Sequence, residues 1–224
     1  MVPTKPTNEE ILDIAREAIS IFNENDYDCC LFGSAACALY GMDRDPNDVD
    51  IIVLTEDHTE CLQRLLCKES ASFFLVESTK PWANYKVLWY ELPSLKSGPQ
   101  RKCKVDILTP GIMHIPNMPP RRINHPKGLP ALPILPLLLL KLQGWSDLRR
   151  SCRKDLRAKI PVDEDDITEL LIIACLRGTR LGSQSLGWLP KDFVEAAQKR
   201  VYRYVNKYPQ SARKWERLGF AAYR

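Results

Sequence analysis

Residues 8–25, NEEILDIAREAISIFNEN, place Ile11, Ile14, Ala15, Ala18, Ile19 and Phe22 at helical spacing. Thr7 or Asn8 can cap such a helix, and Glu9 and Glu10 suit its N-terminus. DYDCCLFG then reads as a short strand ending at Gly33, and SAACALYG as a helix of about two turns closed by Gly41. GMDRDPN is a turn. In DVDIIVLT the alternation puts Val49, Ile51 and Val53 on one face of a strand and Asp48, Asp50 and Ile52 on the other. EDHTECLQRLLCKES has an amphipathic helical period. SFFLVES, YKVLWYEL and RKCKVDILT are three further strand candidates, rich in β-branched and aromatic residues.

The texture changes at Pro110. Prolines 116, 119, 120, 126, 130, 133 and 136 exclude helix and central strand, so this stretch predicts an extended connector over a surface. Beyond it ILPLLLLKLQGWSDL, SCRKDLRAK, VDEDDITELLIIACLRG, LPKDFVEAAQKRVYRYVNKYP and SARKWERLGF all read as helical. The order predicts an α+β protein: a mixed sheet with flanking helices over residues 1–112, a proline-rich connector over 113–133 and a helical domain over 134–224.

Composition adds two constraints. Of the 224 residues, 45% are hydrophobic and 27% charged, which is enough apolar material for a packed core and argues against disorder. The net charge of +4 hides an asymmetry. Residues 1–112 carry about 11 Lys and Arg against 18 Asp and Glu, and residues 113–224 about 21 against 10. Such a basic half either offers a face to a polyanion or neutralises the acidic half across an interface. The eight cysteines form no C-x-x-C pair and no zinc spacing, and read as reduced core thiols of a cytosolic or nuclear protein. The N-terminus lacks the apolar core of a signal peptide, and LPALPILPLLLLKL is too short to span a bilayer.

Candidate chemistry gathers at the strand ends. Gly33-Ser34 joins a strand to a helix, and the free amides of a helix N-terminus attract phosphate. Asp48 and Asp50 are two apart on one strand, so their carboxylates share a face and repel unless a cation lies between them. Asp106 sits in another apolar strand, KVDILTP. If the two strands are neighbours, three carboxylates converge beside one helix N-terminus, a donor set that suits Mg²⁺. Two such ions about 3.5–4 Å apart activate an attacking hydroxyl and stabilise a leaving pyrophosphate.

These stretches, LFGSAACALYG, RDPNDVDIIV and CKVDIL, resemble the nucleotidyltransferase superfamily, whose fold is shared with the palm of polymerase beta. The family pattern is an apolar residue, Gly-Gly or Gly-Ser, an Asp-x-Asp strand, and a third Asp on a later strand. Arg44 stands where stand-alone members often carry an arginine, and Pro46 replaces their usual Ser or Thr. The helical half is similar to the abortive-infection toxin-like branch, with Lys141 and Lys154-Asp155 at the matching places. The resemblance spans about residues 10–175 and implies a minimal palm domain with a C-terminal helical bundle. It implies Asp48, Asp50 and Asp106 as metal ligands and catalytic residues, with Gly33, Ser34, Arg44, Lys141 and Lys154 at the nucleotide. The implied reaction moves an NMP, AMP from ATP in the first instance, onto a hydroxyl of RNA, protein or a small molecule.

Each residue also has a plainer reading. Asp48 and Asp50 could open a strand in water, Asp106 could pair with Lys102 or Lys104, and Arg44 with Asp43 or Asp45. Lys141 could snorkel from a leucine run. Trp82, Tyr85, Trp89 and Tyr90 could stack a base or simply pack the sheet. Arg200, Tyr202, Arg203, Tyr204 and Lys207 could bind RNA or form a solvated helix face. His58, His114 and His125 fit no nucleophile arrangement. The alternative function is a non-catalytic module of the same fold that binds RNA or a protein partner; an unrelated α+β interaction domain would bind no ATP.

Overall fold

The computed structural model describes residues 5–79, 85–93 and 100–223. The first amphipathic stretch is helix α1 (Asn8–Glu24), started by a reciprocal cap: Glu10 N donates to Thr7 Oγ1 at 3.2 Å and Thr7 N donates to Glu10 Oε2 at 2.7 Å. Then follow β1 (Cys29–Phe32), α2 (Gly33–Tyr40), β2 (Asp48–Val53), α3 (Thr59–Glu69), β3 (Phe73–Glu77), β4 (Lys86–Glu91) and β5 (Lys102–Leu108). The short helix α2 stops where Gly41 takes the left-handed conformation, φ 106°.

The strands form one mixed five-stranded sheet in the order β1-β2-β5-β4-β3. Only β2 and β5 are parallel; the other neighbours are antiparallel. Their register pairs Asp50 with Asp106, Asp48 with Lys104, and Phe32 of β1 with Asp50. The alternation expected in β2 holds: Val49, Ile51 and Val53 are fully buried, while Asp48 and Asp50 keep partial access to solvent. Helices α1, α2 and α3 all pack on the sheet.

The proline-rich connector differs from the expected surface wrap. It contains three short 3-10 turns, Ile112–His114, Pro120–Arg122 and Pro126–Gly128. Its end is buried against the open edge of β1. Leu31 N donates to Pro130 O at 2.8 Å, and Leu132 N donates to Leu31 O at 2.9 Å. Ala131 and Leu132 have almost no exposure. An edge strand has backbone groups to satisfy, and this segment covers them.

The helical half comprises α4 (Ile134–Arg150), α5 (Lys154–Arg157), α6 (Ile160–Leu176), α7 (Lys191–Lys207) and α8 (Ala212–Leu218). Pro136, the last of the proline series, lies in the first turn of α4, where a missing N–H costs nothing. Helix α4 contributes Leu135, Leu137, Leu138, Leu139, Leu142 and Trp145 to the core and contacts α2, α6 and α7. Aromatic rings continue the packing, with Trp145–Tyr204 centroids at 5.0 Å and Tyr204–Trp215 at 6.1 Å. Tyr204, a candidate for stacking RNA, is therefore a core residue. A single cluster of buried residues runs from α1 to the segment after α8. No helix among the described residues is long and apolar enough to cross a membrane.

Candidate active site

The β2–β5 register brings the three acids together. Ligand oxygens of Asp48, Asp50 and Asp106 lie within 4.8 Å of one another. They form the floor of a cleft of about 650 Å³, walled by Gly33 and Ser34 of α2, Leu140 and Lys141 of α4, and Lys159 and Asp163 before and within α6.

Gly33 is required by geometry. Its φ is +60°, and a β-carbon there would lie 1.9 Å from Asp50 Oδ2. The turn into α2 thus runs against the Asp50 carboxylate. Ser34, 7% exposed, donates from Oγ to Asp48 Oδ1 at 3.3 Å and does not cap α2; the N-cap is Phe32, which offers no side-chain acceptor. No side chain caps the first-turn amides of α2.

The acids feel one another. Desolvation at the cleft floor, followed by the charges of Asp48 and Asp106, pushes Asp50 up to about 8. Asp106 accepts a close hydrogen bond from Lys104 Nζ, so the sheet itself supplies one counter-cation. The pairing with Lys104 anticipated from the sequence is present together with the acidic cluster, not in place of it.

Arg44 and Lys141, expected at the nucleotide, stand in the cleft wall and share a buried partner. Arg44 holds Asp166 with two bonds, Nε to Oδ1 at 2.9 Å and Nη2 to Oδ2 at 2.8 Å. Lys141 Nζ donates to Asp166 Oδ2 at 2.6 Å and lies 3.7 Å from Asp163. Burial acts to raise Asp166, and Arg44 and Lys141 overcome it, leaving the carboxyl below its ordinary range. Asp163 is raised, by burial first and by Asp166, against the pull of Lys141 and Arg44. This network ties the α2–β2 turn to α4 and α6, so it fixes the wall of the cleft.

Lys154 opens α5 on the exposed surface and is not among the residues lining the cleft. Lys159, three residues before the wall residue Val162, does line it and makes no salt bridge among the described residues. Sequence reading passed over Lys159, Asn47, Asp163 and Asp166. A usable signal existed for the last two: three apart in VDEDDI, they share a helix face. Of the aromatic candidates, Trp89 carries Lys102 Nζ 4.3 Å from its ring centroid, and Tyr90 donates to Glu17 Oε2 at 2.6 Å. Tyr85 is exposed, and Trp82 lies outside the described residues.

The antigenic nucleotidyltransferase-like protein of Paracoccidioides brasiliensis superposes with a TM-score of 0.66 over 98% of this chain and 97% of its own, at 15% identity. The fold is of the nucleotidyltransferase type. JHP933 from Helicobacter pylori aligns over 93% of this chain and 97% of its own at 12% identity and a TM-score of 0.42. Terminal uridylyl transferase 4 of Trypanosoma brucei, solved with GTP, aligns over 91% and 68% at 14% identity and a TM-score of 0.34. No protein-family model and no curated protein sequence matches the chain.

Proposed function

We propose that this protein is a divalent-metal-dependent nucleotidyltransferase. It moves an NMP, AMP from ATP in the first instance, onto a hydroxyl acceptor. The observation that carries this reading is the approach of three carboxylates from two parallel strands, within 4.8 Å, at the start of α2. That donor set fits Mg²⁺: all-oxygen, anionic and partly open to solvent, with room for water and phosphate ligands. Asp48, Asp50 and Asp106 would hold the metal, which supplies charge neutralisation for the phosphates and the departing pyrophosphate.

The chain's own residues do the rest. The uncapped amides at Gly33 and Ser34 receive the triphosphate. Asp106 accepts the acceptor's hydroxyl proton. The acceptor oxygen forms its bond to the α-phosphorus as the bond to the pyrophosphate oxygen breaks, so the NMP changes partner and pyrophosphate leaves. Arg44 and Lys141 hold the wall in place through Asp166, and Lys159 offers its unpaired charge to the phosphates. Assignment to the abortive-infection toxin-like branch rests on the pattern of Lys141 and Lys154-Asp155 alone.

A second reading has its own observation. Lys104 on Asp106 and Ser34 on Asp48 satisfy two of the acids without a metal, as a non-catalytic module that binds RNA or a protein would require. One experiment separates the two. The full chain is incubated with each NTP labelled at the α-phosphate, Mg²⁺ and cell extract. Label moving to RNA, protein or a small molecule supports transfer and names the acceptor class. Asp48→Asn and Asp50→Asn should abolish it while leaving the circular dichroism spectrum unchanged. Transfer that survives either substitution, or no transfer and no Mg²⁺-dependent NTP binding by calorimetry, removes the enzyme reading.

A further inference from the structure

Beyond the cleft, α4 and α7 bring arginines to two further cavities. Met113 lines the cleft, and its carbonyl accepts from Gln143 Nε2 at 2.6 Å. Across that contact a second cavity of about 330 Å³ is lined by His114, Gln143 and Arg200, among others. Gln143 is 4% exposed, and its Oε1 has no partner; Arg200 likewise carries a buried Nη1 without an acceptor. A third cavity of about 340 Å³ follows, between Arg149 and Arg150 at the end of α4 and Arg203 and Asn206 of α7. Arg200 and Arg203 are three apart on α7 and share a face.

Asp192 lines the second cavity beside Arg200, and the Arg149 guanidinium lies over the Trp145 ring, 4.9 Å from its centroid. Arg149, Arg150, Arg200 and Arg203 form no salt bridge among the described residues. Burial holds Arg200 below the ordinary guanidinium range; Asp147 pulls it back, and Arg150 and Arg203 add to the depression. Arg150 and Arg203 line one cavity, and Arg200, three residues before Arg203 on α7, carries the orphan donor; an anion with repeated charges would relax this surface.

We propose that Arg150, Arg200 and Arg203 form a phosphate track for a single-stranded polynucleotide, whose 3′ end passes Met113 into the carboxylate cleft. The ligand that offers both serial phosphates for the track and a terminal hydroxyl for the cleft is a polynucleotide. A lipid surface or a phosphopeptide supplies charge without that hydroxyl at the end of a chain of phosphates. The docking surface stands on its own observations, and the role of the bound strand as acceptor rests on the nucleotidyltransferase reading.

Binding is tested apart from turnover. The full chain is titrated into fluorescent single-stranded RNA and DNA oligonucleotides in EDTA without NTP, and anisotropy is read across a salt series. Arg150→Glu with Arg203→Glu should weaken binding by about tenfold or more, and make the salt slope shallower by about 1.4, two phosphate contacts on a single strand. Arg150→Gln with Arg203→Gln should fall between this pair and the parent, which guards against a folding artefact. Arg213→Glu with Arg217→Glu on α8 makes the same charge change off the track and should cost less than about threefold. Asp48→Asn should keep full binding while losing transfer. No binding to either oligonucleotide, equal weakening by both Glu pairs, or preference for anionic vesicles or a phosphopeptide overturns the proposal. Binding with no transfer onto the strand leaves the track standing and removes the acceptor role.

Discussion

Gly33 and Asp50 share a space that only a glycine leaves open: a β-carbon at position 33 would sit 1.9 Å from Asp50 Oδ2 and 2.8 Å from its Cγ. Gly33→Ala therefore has two consequences. The left-handed φ of +60° costs a residue with a β-carbon about 1–2 kcal/mol. The Asp50 carboxylate must also leave its place beside Asp106. Denaturant titration should show the stability loss, and calorimetry should show Mg²⁺ affinity falling by more than that loss accounts for. A Gly33→Ala protein that binds Mg²⁺ like the parent would separate the glycine from the acidic site.

The high Asp50 value sets a pH dependence. Its carboxyl titrates near 8 in the metal-free fold, against an ordinary 3.8. Between these values the folded chain holds a proton that the unfolded chain has released. Stability of the metal-free protein therefore falls as pH rises from about 4 to 8, so far as Asp50 is concerned. Asp50→Asn removes the titration: its melting temperature in EDTA should exceed that of the parent at pH 8 and converge with it as pH falls to about 4. Mg²⁺ should stabilise the parent more at pH 8 than at pH 6, with proton release, and should not stabilise the variant. Melting curves in EDTA and in Mg²⁺ across this range check both statements.

Why the acids could be found from the sequence, and their setting could not, follows from the range of the interactions. Asp48 and Asp50 share a face by strand geometry alone, and Gly33 ends a local strand-to-helix transition; both are properties of a few consecutive residues. The position of Asp106 depends on β5 entering between β2 and β4, a long-range pairing that local pattern does not encode, and the family resemblance supplied it. Arg44 and Lys141 show the opposite case. The family resemblance put them at the nucleotide, and both line the cleft, but their shared partner Asp166 is 122 residues from Arg44 in sequence. VDEDDITELL reads equally well as a helix with a favourable acidic start. The buried end of the connector was hidden for the same reason: prolines report the absence of helix, not the strand edge that lies across from them.

Lys104 competes for Asp106. Its ammonium sits on the carboxylate that would join the metal, 35% exposed beside a 38% exposed lysine side chain. Lys104→Gln removes both a rival ligand-holder and a like charge near the cation. Because the pair is partly solvated, the gain is modest, about threefold to fivefold in Mg²⁺ affinity. Isothermal titration with the parent and the variant would read it. Unchanged or weaker Mg²⁺ binding in the variant would mean that Lys104 helps to shape the acidic cluster.

Asp166 anchors two cations from different parts of the chain, and its side chain is 1% exposed. Asp166→Asn keeps the shape but withdraws the charge that Arg44 and Lys141 face. Lys141 is only 14% exposed, so it would be left nearly buried beside a neutral amide; Arg44, 32% exposed, can turn toward water. Breaking such a group should cost about 3 kcal/mol, the low end for a buried ion pair because of the Arg44 outlet. The Asp166 carboxyl is held below its ordinary range, so its stabilisation is complete at neutral pH and is lost as pH falls through that lowered value. The parent and Asp166→Asn should therefore differ most in melting temperature at pH 7 and converge in acid. Since the same network sets the cleft wall, the variant should also bind NTP more weakly while its Mg²⁺ affinity changes little. A loss of Mg²⁺ affinity as large as the loss for NTP would place Asp166 with the metal site and not with the wall.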